Sequence, residues 1–253
     1  MIKTAINLLV LIGLSAQCLA QYDEDRYEYW REDAQLTYDM FQADTSTMSK
    51  YKEYNFKSIV STGLWGALDI PKKKRDRRIK MEMYYFCAAL DKTESCLFEK
   101  NEMSLNHAKL LWDICELATR VSRKNLSDML FQADSIGYQT LMTSKGIKVF
   151  NHDTLTQFHI TGMITLYYMT ALNNGKELGK SLTDAFVHEV IIPQNDSMYY
   201  EFRKTIDKYL NETKEYSTTE QEINRFKTNT PQEGYILAPH LMGDMKKRGT
   251  IIY

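Results

Sequence analysis

The stretch Met103-Ser-Leu-Asn-His-Ala-Lys-Leu-Leu-Trp-Asp-Ile-Cys-Glu-Leu-Ala-Thr-Arg-Val121 decides the predicted fold, because its apolar residues follow a helical period. They recur three or four positions apart and therefore share one helix face: Leu105, Ala108, Leu111, Trp112, Cys115 and Ala118. Ser104 stands at the start of this run, and a serine hydroxyl can accept a hydrogen bond from a free backbone N–H at a helix start. The sequence therefore predicts an amphipathic helix over residues 103–121.

Similar patterns occur on both sides of this segment. Residues 23–43 place an aromatic stripe on one helix face, and residues 47–60 repeat the pattern less regularly. Ser127 is expected to cap a second helix that begins there. Residues 154–175 contain no Asp, Glu, Lys or Arg, which predicts a helix buried on all sides and ended by Asn173-Asn-Gly175. Shorter helices are predicted at residues 181–191, 197–210 and 219–227.

The proline distribution also favours long helices. No proline occurs between Pro71 and Pro193, and proline interrupts helix interiors. Residues 79–84 alternate as a strand does, but the following Cys87-Ala-Ala-Leu90 favours a helix, and the segment is assigned to one. The predicted fold is all-α, an irregular helical bundle of about seven to nine helices with an extended C-terminal tail.

The predicted domain organisation has three parts: a signal peptide at residues 1–20, a single α-helical domain at 21–227 and an extended tail at 228–253. An internal similarity adds a hypothesis of old duplication, with units near residues 25–100 and 115–200. Its evidence is that two motifs recur in the same order. These are Asp39–Thr45 with Asp128–Ser135, and Met83–Leu90 with Leu166–Leu172.

The first residues are organised as a secretory signal peptide. Lys3 supplies a positive charge, residues 8–14 are apolar, and the small residues Cys18 and Ala20 precede the expected cleavage between Ala20 and Gln21. The apolar run is too short for a membrane-spanning helix, which needs about 20 residues. The sequence therefore predicts a secreted, extracellular protein and no transmembrane segment.

Cleavage would leave three cysteines, Cys87, Cys96 and Cys115. Cys115 lies on the apolar helix face, where a thiol acts as a small hydrophobic group. A disulfide between Cys87 and Cys96 is therefore predicted, with a Cys87–Cys115 bridge as the alternative.

Three Asn-X-Ser/Thr sequons predict N-glycosylation in that compartment, at Asn125, Asn195 and Asn211. All three lie at predicted helix junctions, where a glycan can point away from the core. We therefore expect these three side chains to be exposed.

A basic run follows Pro71, with its cations at Lys72, Lys73, Lys74, Arg75, Arg77 and Arg78. The favoured interpretation is a solvated linker between helices. One alternative is a site for polyanions, either sulfated glycans or anionic lipid. The other is proteolytic processing after Arg78, because Arg75-Asp-Arg77-Arg78 resembles the Arg-X-Arg-Arg that furin-like convertases recognise.

The sequence contains no motif that assigns a catalytic, metal or cofactor site. It lacks the Gly-X-Ser-X-Gly and Cys-X-X-Cys patterns and any glycine-rich phosphate loop. His188-Glu189 has no second histidine at the spacing of a zinc protease, and His152 with His159 has no placed third ligand. The formal net charge of −1 gives no argument for nucleic-acid binding.

The predicted function is that of a secreted, N-glycosylated, non-enzymatic protein, with no cofactor. It would bind an extracellular macromolecule, with a polyanionic glycan as one candidate partner, or serve storage or structure in an extracellular fluid. One alternative is an extracellular carrier of an apolar small molecule between helices, since 13 methionines adapt to irregular apolar gaps. The other is a secreted hydrolase whose catalytic acids come from distant positions.

Overall fold

A computed structural model of the protein describes residues 25–46, 56–76, 80–136, 138–143, 146–151 and 163–238. The strands are β1 (Tyr27–Tyr29), β2 (Ser58–Ile59), β3 (Thr62–Pro71), β4 (Met83–Asp91), β5 (Cys96–Leu97), β6 (Tyr138–Thr143), β7 (Gly146–Asn151) and β8 (Tyr235–Leu237). The α-helices are α1 (Glu102–Ile136), α2 (Met163–Phe186), α3 (Asp196–Glu212) and α4 (Glu220–Thr228). A π-helical turn, Val187–Ile191, directly continues α2.

An antiparallel sheet of four strands, in the order β1-β4-β3-β8, forms the middle of the molecule. β3 and β4 pair along most of their length, with Gly66 opposite Phe86. β8 pairs with the end of β3, where Ile70 lies opposite Ile236. The small pairs β2–β5 and β6–β7 are also antiparallel.

The sheet is covered on both faces, and alternate residues of β4 show this. Phe86, Ala88 and Leu90 belong to the large core formed with α1, α2 and α3. Tyr85, Cys87 and Ala89 belong to a smaller core formed with α4. Because successive strand side chains point to opposite faces, the two cores lie on the two sides of the sheet.

The predicted all-α fold is therefore wrong, since the structure is mixed α/β. The all-α prediction failed mainly because of β4, which is buried on both faces from Tyr85 to Asp91. Such a strand is apolar at every position, and periodicity cannot separate it from a buried helix segment. Strands β1 and β4 lie within the ranges 23–43 and 79–90, where helices were predicted.

The number of helices is also lower than the predicted seven to nine, because α1 is one helix of 35 residues. It continues through Ser127, which is exposed on its surface and does not begin a new helix. In the same way α2 continues through Gly175 to Phe186. The described part of the chain therefore contains four α-helices.

Two further predictions concern domain organisation. Of the second pair of similar motifs, Met83–Leu90 lies in strand β4 while Leu166–Leu172 lies in helix α2, so the duplication remains a hypothesis without structural support. The predicted tail begins where α4 ends, and its residues Tyr235–Leu237 form β8. The signal peptide at residues 1–20 and its cleavage site lie outside the described residues. No helix in the described part is both long and apolar enough to cross a membrane.

Candidate functional site

The candidate site is an apolar cleft between α1, α2 and the first half of β3. Its volume is about 240 Å³, and it is partly open to solvent. Its inner wall consists of small and apolar side chains: Thr62, Leu64, Ile114, Cys115, Ala118 and Thr183. β8 pairs only with Asp69–Pro71, so among the described strands β3 has no partner on this side near the cleft.

Glycines on α2 set the distance between the two helices beside the cleft. A Cβ atom on Gly175 would lie 1.9 Å from Ser122 Oγ and 2.7 Å from the carbonyl oxygen of Ala118. A Cβ on Gly179 would lie 3.1 Å from Ala118 Cβ. The absence of a side chain at Gly175 is therefore what lets α2 approach α1 so closely, and Gly179 contributes less.

The chemistry of the cleft wall favours binding over reaction. Burial raises the pKa of the Cys115 thiol, with the nearby Glu116 carboxylate as the second cause, so the reactive thiolate does not form at neutral pH. Among the described residues that line the cleft, the charged ones lie at the mouth, where Glu177 and Lys180 are exposed and Lys176 is half-buried. Lys180 is paired with Asp184 on the same helix.

The opposite side of α1 carries buried charged side chains. They form hydrogen bonds with the part of the chain that follows α3. The guanidinium of Arg123 donates to Glu222 at 2.8 Å and to the carbonyl oxygen of Phe86 at 2.6 Å. Glu222 in turn accepts from the backbone N–H of Phe86 at 3.2 Å. β1 does not extend to Phe86 on this edge of β4. The side chains of Arg123 and Glu222 therefore provide the hydrogen bonds for the backbone C=O and N–H of Phe86.

Glu116 extends this network from α1. It accepts from Arg120 Nε at 2.9 Å and from the backbone N–H of Thr218 at 3.0 Å. Burial raises the pKa of Glu116, while Arg123 and the hydrogen bonds from Thr218 and Arg120 act in the opposite direction. On the other face of the sheet, Arg225 and Asp69 form a buried pair through two hydrogen bonds of 2.6 and 2.7 Å. These acids are bound by neighbouring donors, which gives them a structural role.

The basic run lies in the connection between β3 and β4. Lys72, Lys73, Lys74 and Arg75 are all exposed. Asp76 forms ion pairs with Arg75 at 3.5 Å and with Lys80 at 3.8 Å. The predicted linker between helices is thus a connection between strands of one hairpin, while Arg77 and Arg78 lie outside the described residues.

The three sequon asparagines lie in different settings. Asn195 and Asn211 are exposed, whereas Asn125 is half-buried in the middle of α1 and not at a helix junction. Asn195 precedes α3, and its Oδ1 accepts from the backbone N–H of Met198 at 3.2 Å. A glycan attaches to the amide nitrogen, so this capping bond is compatible with glycosylation. Glycosylation at the three positions stays a prediction.

The predicted Cys87–Cys96 disulfide is not present, and the side chains of Cys87, Cys96 and Cys115 are buried without any disulfide bond between them. Cys87 lies inside the four-stranded sheet opposite Trp65, whereas Cys96 lies in the separate β2–β5 pair opposite Ile59. The alternative with Cys115 is not formed either, since Cys87 and Cys115 belong to the cores on opposite faces of the sheet.

The histidines do not form a metal site in the part of the chain that the structure describes, and no group of acidic, histidine and cysteine ligands does so there. His107 is 4% exposed and contacts the rings of Phe186 and Tyr199 at centroid distances of 5.6 and 5.3 Å. Burial lowers its pKa to about 4. His188 is exposed, and His152 and His159 lie outside the described residues.

Comparison with known proteins gives no relative for this chain: no family model, curated protein or solved structure matches it.

Sequence analysis placed only Cys115 and Ala118 of this site on an apolar helix face. It missed the glycines of α2, because Gly175 was interpreted as a helix end. The available signal was the spacing of Gly175 and Gly179, four positions apart and therefore on one helix face.

Proposed function

We propose that this protein is an extracellular binding protein that carries an apolar small molecule in the cleft between α1 and α2. The observation that supports this most directly is the apolar inner wall of the cleft, with charges only at its mouth. The secretory start and the sequons support the extracellular part of the proposal. This is the carrier function that the sequence offered as an alternative.

The cleft volume limits the size of the ligand. An engineered apolar cavity of about 150 Å³ accommodates benzene. Pockets for drug-sized ligands begin at about 300 Å³. The cleft, at about 240 Å³, lies between these values, so it suits one ring system or a short aliphatic chain.

A hydrolytic function is less well supported at this site. Hydrolysis needs a positioned nucleophile or general base. The thiol of Cys115 has a raised pKa, and among the described residues that line the cleft only Glu177, exposed at the mouth, carries a carboxylate. The cleft is therefore better suited to holding a molecule than to transforming it.

The test is ligand binding to a variant in which the cleft is filled. Thr183 is 5% exposed and lines the cleft, and its hydroxyl donates only to the carbonyl oxygen of Gly179 at 2.8 Å. Thr183→Leu adds apolar volume there. We expect it to weaken binding of the apolar fluorophore naphthalene about tenfold or more, because this single ring system and the new side chain compete for one space.

Ser181→Leu is the matched control, since Ser181 is exposed on the same helix and does not line the cleft. Its affinity for the fluorophore should equal that of the wild type. Extraction of the protein purified from its natural fluid, followed by mass spectrometry, should release one class of apolar compound. Equal binding by Thr183→Leu and Ser181→Leu would contradict the proposal.

Polyanion binding by the β3–β4 connection is a second candidate function. It is favoured by the exposure of four consecutive cations, Lys72 to Arg75, at one end of the sheet. Retention on heparin should fall with salt, because binding to a polyanion releases counterions. Lys73→Ala with Arg75→Ala should elute at lower salt than the wild type. Lys204→Ala with Lys208→Ala removes two exposed cations from α3 and should elute unchanged.

A further inference from the structure

A second cleft lies against the charged side of α1, between that helix, α3 and the segment after β1. Its volume is about 370 Å³. Cations line it from three directions: Lys109 and Arg120 from α1, Arg203 from α3, and Lys214 from the turn that follows α3. Trp30 forms part of the wall and is 4% exposed.

Trp30 positions two of these cations. The Nζ atom of Lys109 lies 5.3 Å from the ring centroid, and the guanidinium carbon of Arg120 lies 5.0 Å from it. Both distances are within the range of a cation–π interaction. The indole Nε1 donates to Asp113 Oδ1 at 2.7 Å, which fixes the ring. The cations of α1 are therefore held in place before any ligand binds.

The carboxylates of this cleft already have donors. Asp113 Oδ1 accepts from Lys109 at 2.8 Å as well as from Trp30, and its Oδ2 accepts from Arg203 at 2.7 Å. Asp207 accepts from Arg203, and Glu32 accepts from Lys214 at 3.2 Å. A cationic ligand would thus have to compete with protein donors for every acid of the wall.

Unused donors remain on the two arginines. The Nε atom of Arg203 is buried and has no hydrogen-bond partner in the described part of the chain. Arg120 is 3% exposed and donates through Nε to Glu116 at 2.9 Å and through Nη1 to the carbonyl oxygen of Leu210 at 2.5 Å. None of its hydrogen bonds to described residues uses Nη2. A guanidinium carries five N–H donors and no acceptor, so these N–H groups remain available to donate to an oxygen acceptor.

We propose that this cleft binds the oxyanion of a small organic molecule, a carboxylate, sulfate or phosphate. Two arginines with free N–H groups and two lysines match an acceptor-only group with several oxygens. The cleft is larger than a bare ion needs, since a water molecule takes about 30 Å³ in the liquid. The remaining volume is room for the group that carries the anion. The site is distinct from the apolar cleft and does not rest on the proposed carrier function.

The test is calorimetric titration at constant ionic strength with three probes: inorganic sulfate, inorganic phosphate and a sulfated heparin disaccharide. Arg203→Lys is the decisive variant, because it keeps a positive charge beside Asp113 and removes the Nε donor. We expect it to weaken binding about tenfold, the loss of one charge-assisted hydrogen bond. Lys214→Ala removes an exposed cation of the cleft and should weaken binding about threefold.

The matched control is Lys208→Ala on α3, whose ammonium pairs with Glu212 at 3.8 Å and does not line the cleft. It should bind all three probes as the wild type does. If the disaccharide binds more tightly than sulfate, the ligand is an organic molecule that bears the oxyanion. If the two bind equally, the ligand is the free oxyanion. The proposal is overturned if the wild type binds none of the probes in the millimolar range, or if Lys208→Ala and Arg203→Lys have the same effect. Because Lys73→Ala with Arg75→Ala leaves this cleft intact, loss of disaccharide binding in that variant would also overturn it.

Discussion

The two sides of α1 bury their residues by different means. On one side, Ile114 and Ala118 line the apolar cleft and contact a helix that comes close because Gly175 has no side chain. On the other side, Glu116 and Arg123 are almost fully buried charges, and their hydrogen bonds run to the chain around α4. On one side α1 thus packs against α2 through close apolar contact. On the other side it contacts the chain around α4 through ion pairs and hydrogen bonds.

This difference determines how each side should respond to change. In a well-packed apolar contact, removing atoms leaves a cavity and adding atoms overpacks the contact, and the cost of either change depends on how far the neighbouring side chains can adjust. A buried ion pair is different, since removing one partner leaves the other charge buried and uncompensated. The charged side should therefore be the more sensitive one to a single substitution, although the apolar side contributes more of the core.

The largest effect is expected for Arg123→Met. Arg123 donates to Glu222, Phe86, Tyr216 and Thr218, and methionine offers none of these bonds. The free energy of unfolding, measured by urea denaturation, should fall by about 3–5 kcal/mol, because the partner charge stays buried. Arg75→Met is the control, since that side chain is 81% exposed. If Arg123→Met lowers the free energy of unfolding as little as Arg75→Met does, burial of the charge does not make the charged side of α1 more sensitive to substitution.

The next largest effect is expected for the pH dependence of stability, which depends on His107 on the apolar side of α1. The pKa of His107 is lowered from 6.5 to about 4, first by burial and then by the charge of Lys57. Between these two pH values the unfolded chain binds a proton that the folded chain does not. Stability should therefore fall as the pH drops from 6.5 to 4. The shift corresponds to about 3 kcal/mol.

His107→Phe tests this contribution, because phenylalanine keeps the ring contacts with Phe186 and Tyr199 and cannot be protonated. The difference in unfolding free energy between wild type and variant, measured by urea denaturation at a series of pH values, should change by this amount across the window. A constant difference would mean that folding does not change the pKa of His107.

The glycines give a smaller effect, again on the apolar side. Gly175→Ala places a methyl group 2.7 Å from the carbonyl oxygen of Ala118, so the helices must separate. We expect a loss of about 1–3 kcal/mol, the usual range for overpacking. Gly179→Ala is the matched control, since its methyl group meets only Ala118 Cβ at 3.1 Å. If thermal unfolding shows Gly179→Ala to be the less stable of the two variants, the closest approach of α2 to α1 is not at Gly175.

The sequence predicted the fold only in part, and the reason is visible in particular residues. The helical period over 103–121 correctly predicted the first part of α1, which continues to Ile136. The sequence predicted no helix or strand at Gly63-Leu-Trp-Gly66, although this segment belongs to β3. Gly66 is needed there because a Cβ would lie 2.0 Å from the Tyr168 hydroxyl. A contact with a residue so far along the chain has no local signal, so no period in the sequence could reveal it.

The candidate sites were harder to predict for a related reason. Trp30 belongs to the aromatic stripe of the helix predicted over residues 23–43, but it follows β1, and its neighbours in the cleft come from α1 and α3. Asp113 and Arg203 are 90 residues apart in sequence and 2.7 Å apart in the fold. Their residue types are common on helix surfaces, and only the tertiary structure makes them parts of one site.

The smallest effect compares two ion pairs on α1 with the same spacing and opposite exposure. Lys124 and Asp128 are 46% and 48% exposed, whereas Arg120 and Glu116 are 3% and 0% exposed. Each pair joins residues four positions apart. A double-mutant cycle for Lys124→Ala and Asp128→Ala should give a coupling energy of about 0.3–0.5 kcal/mol that disappears in high salt. The cycle for Arg120→Met and Glu116→Gln should give several-fold more and persist in high salt, because buried pairs are screened much less. Equal coupling energies in the two cycles would show that spacing along the helix, and not burial, governs the charged side of α1.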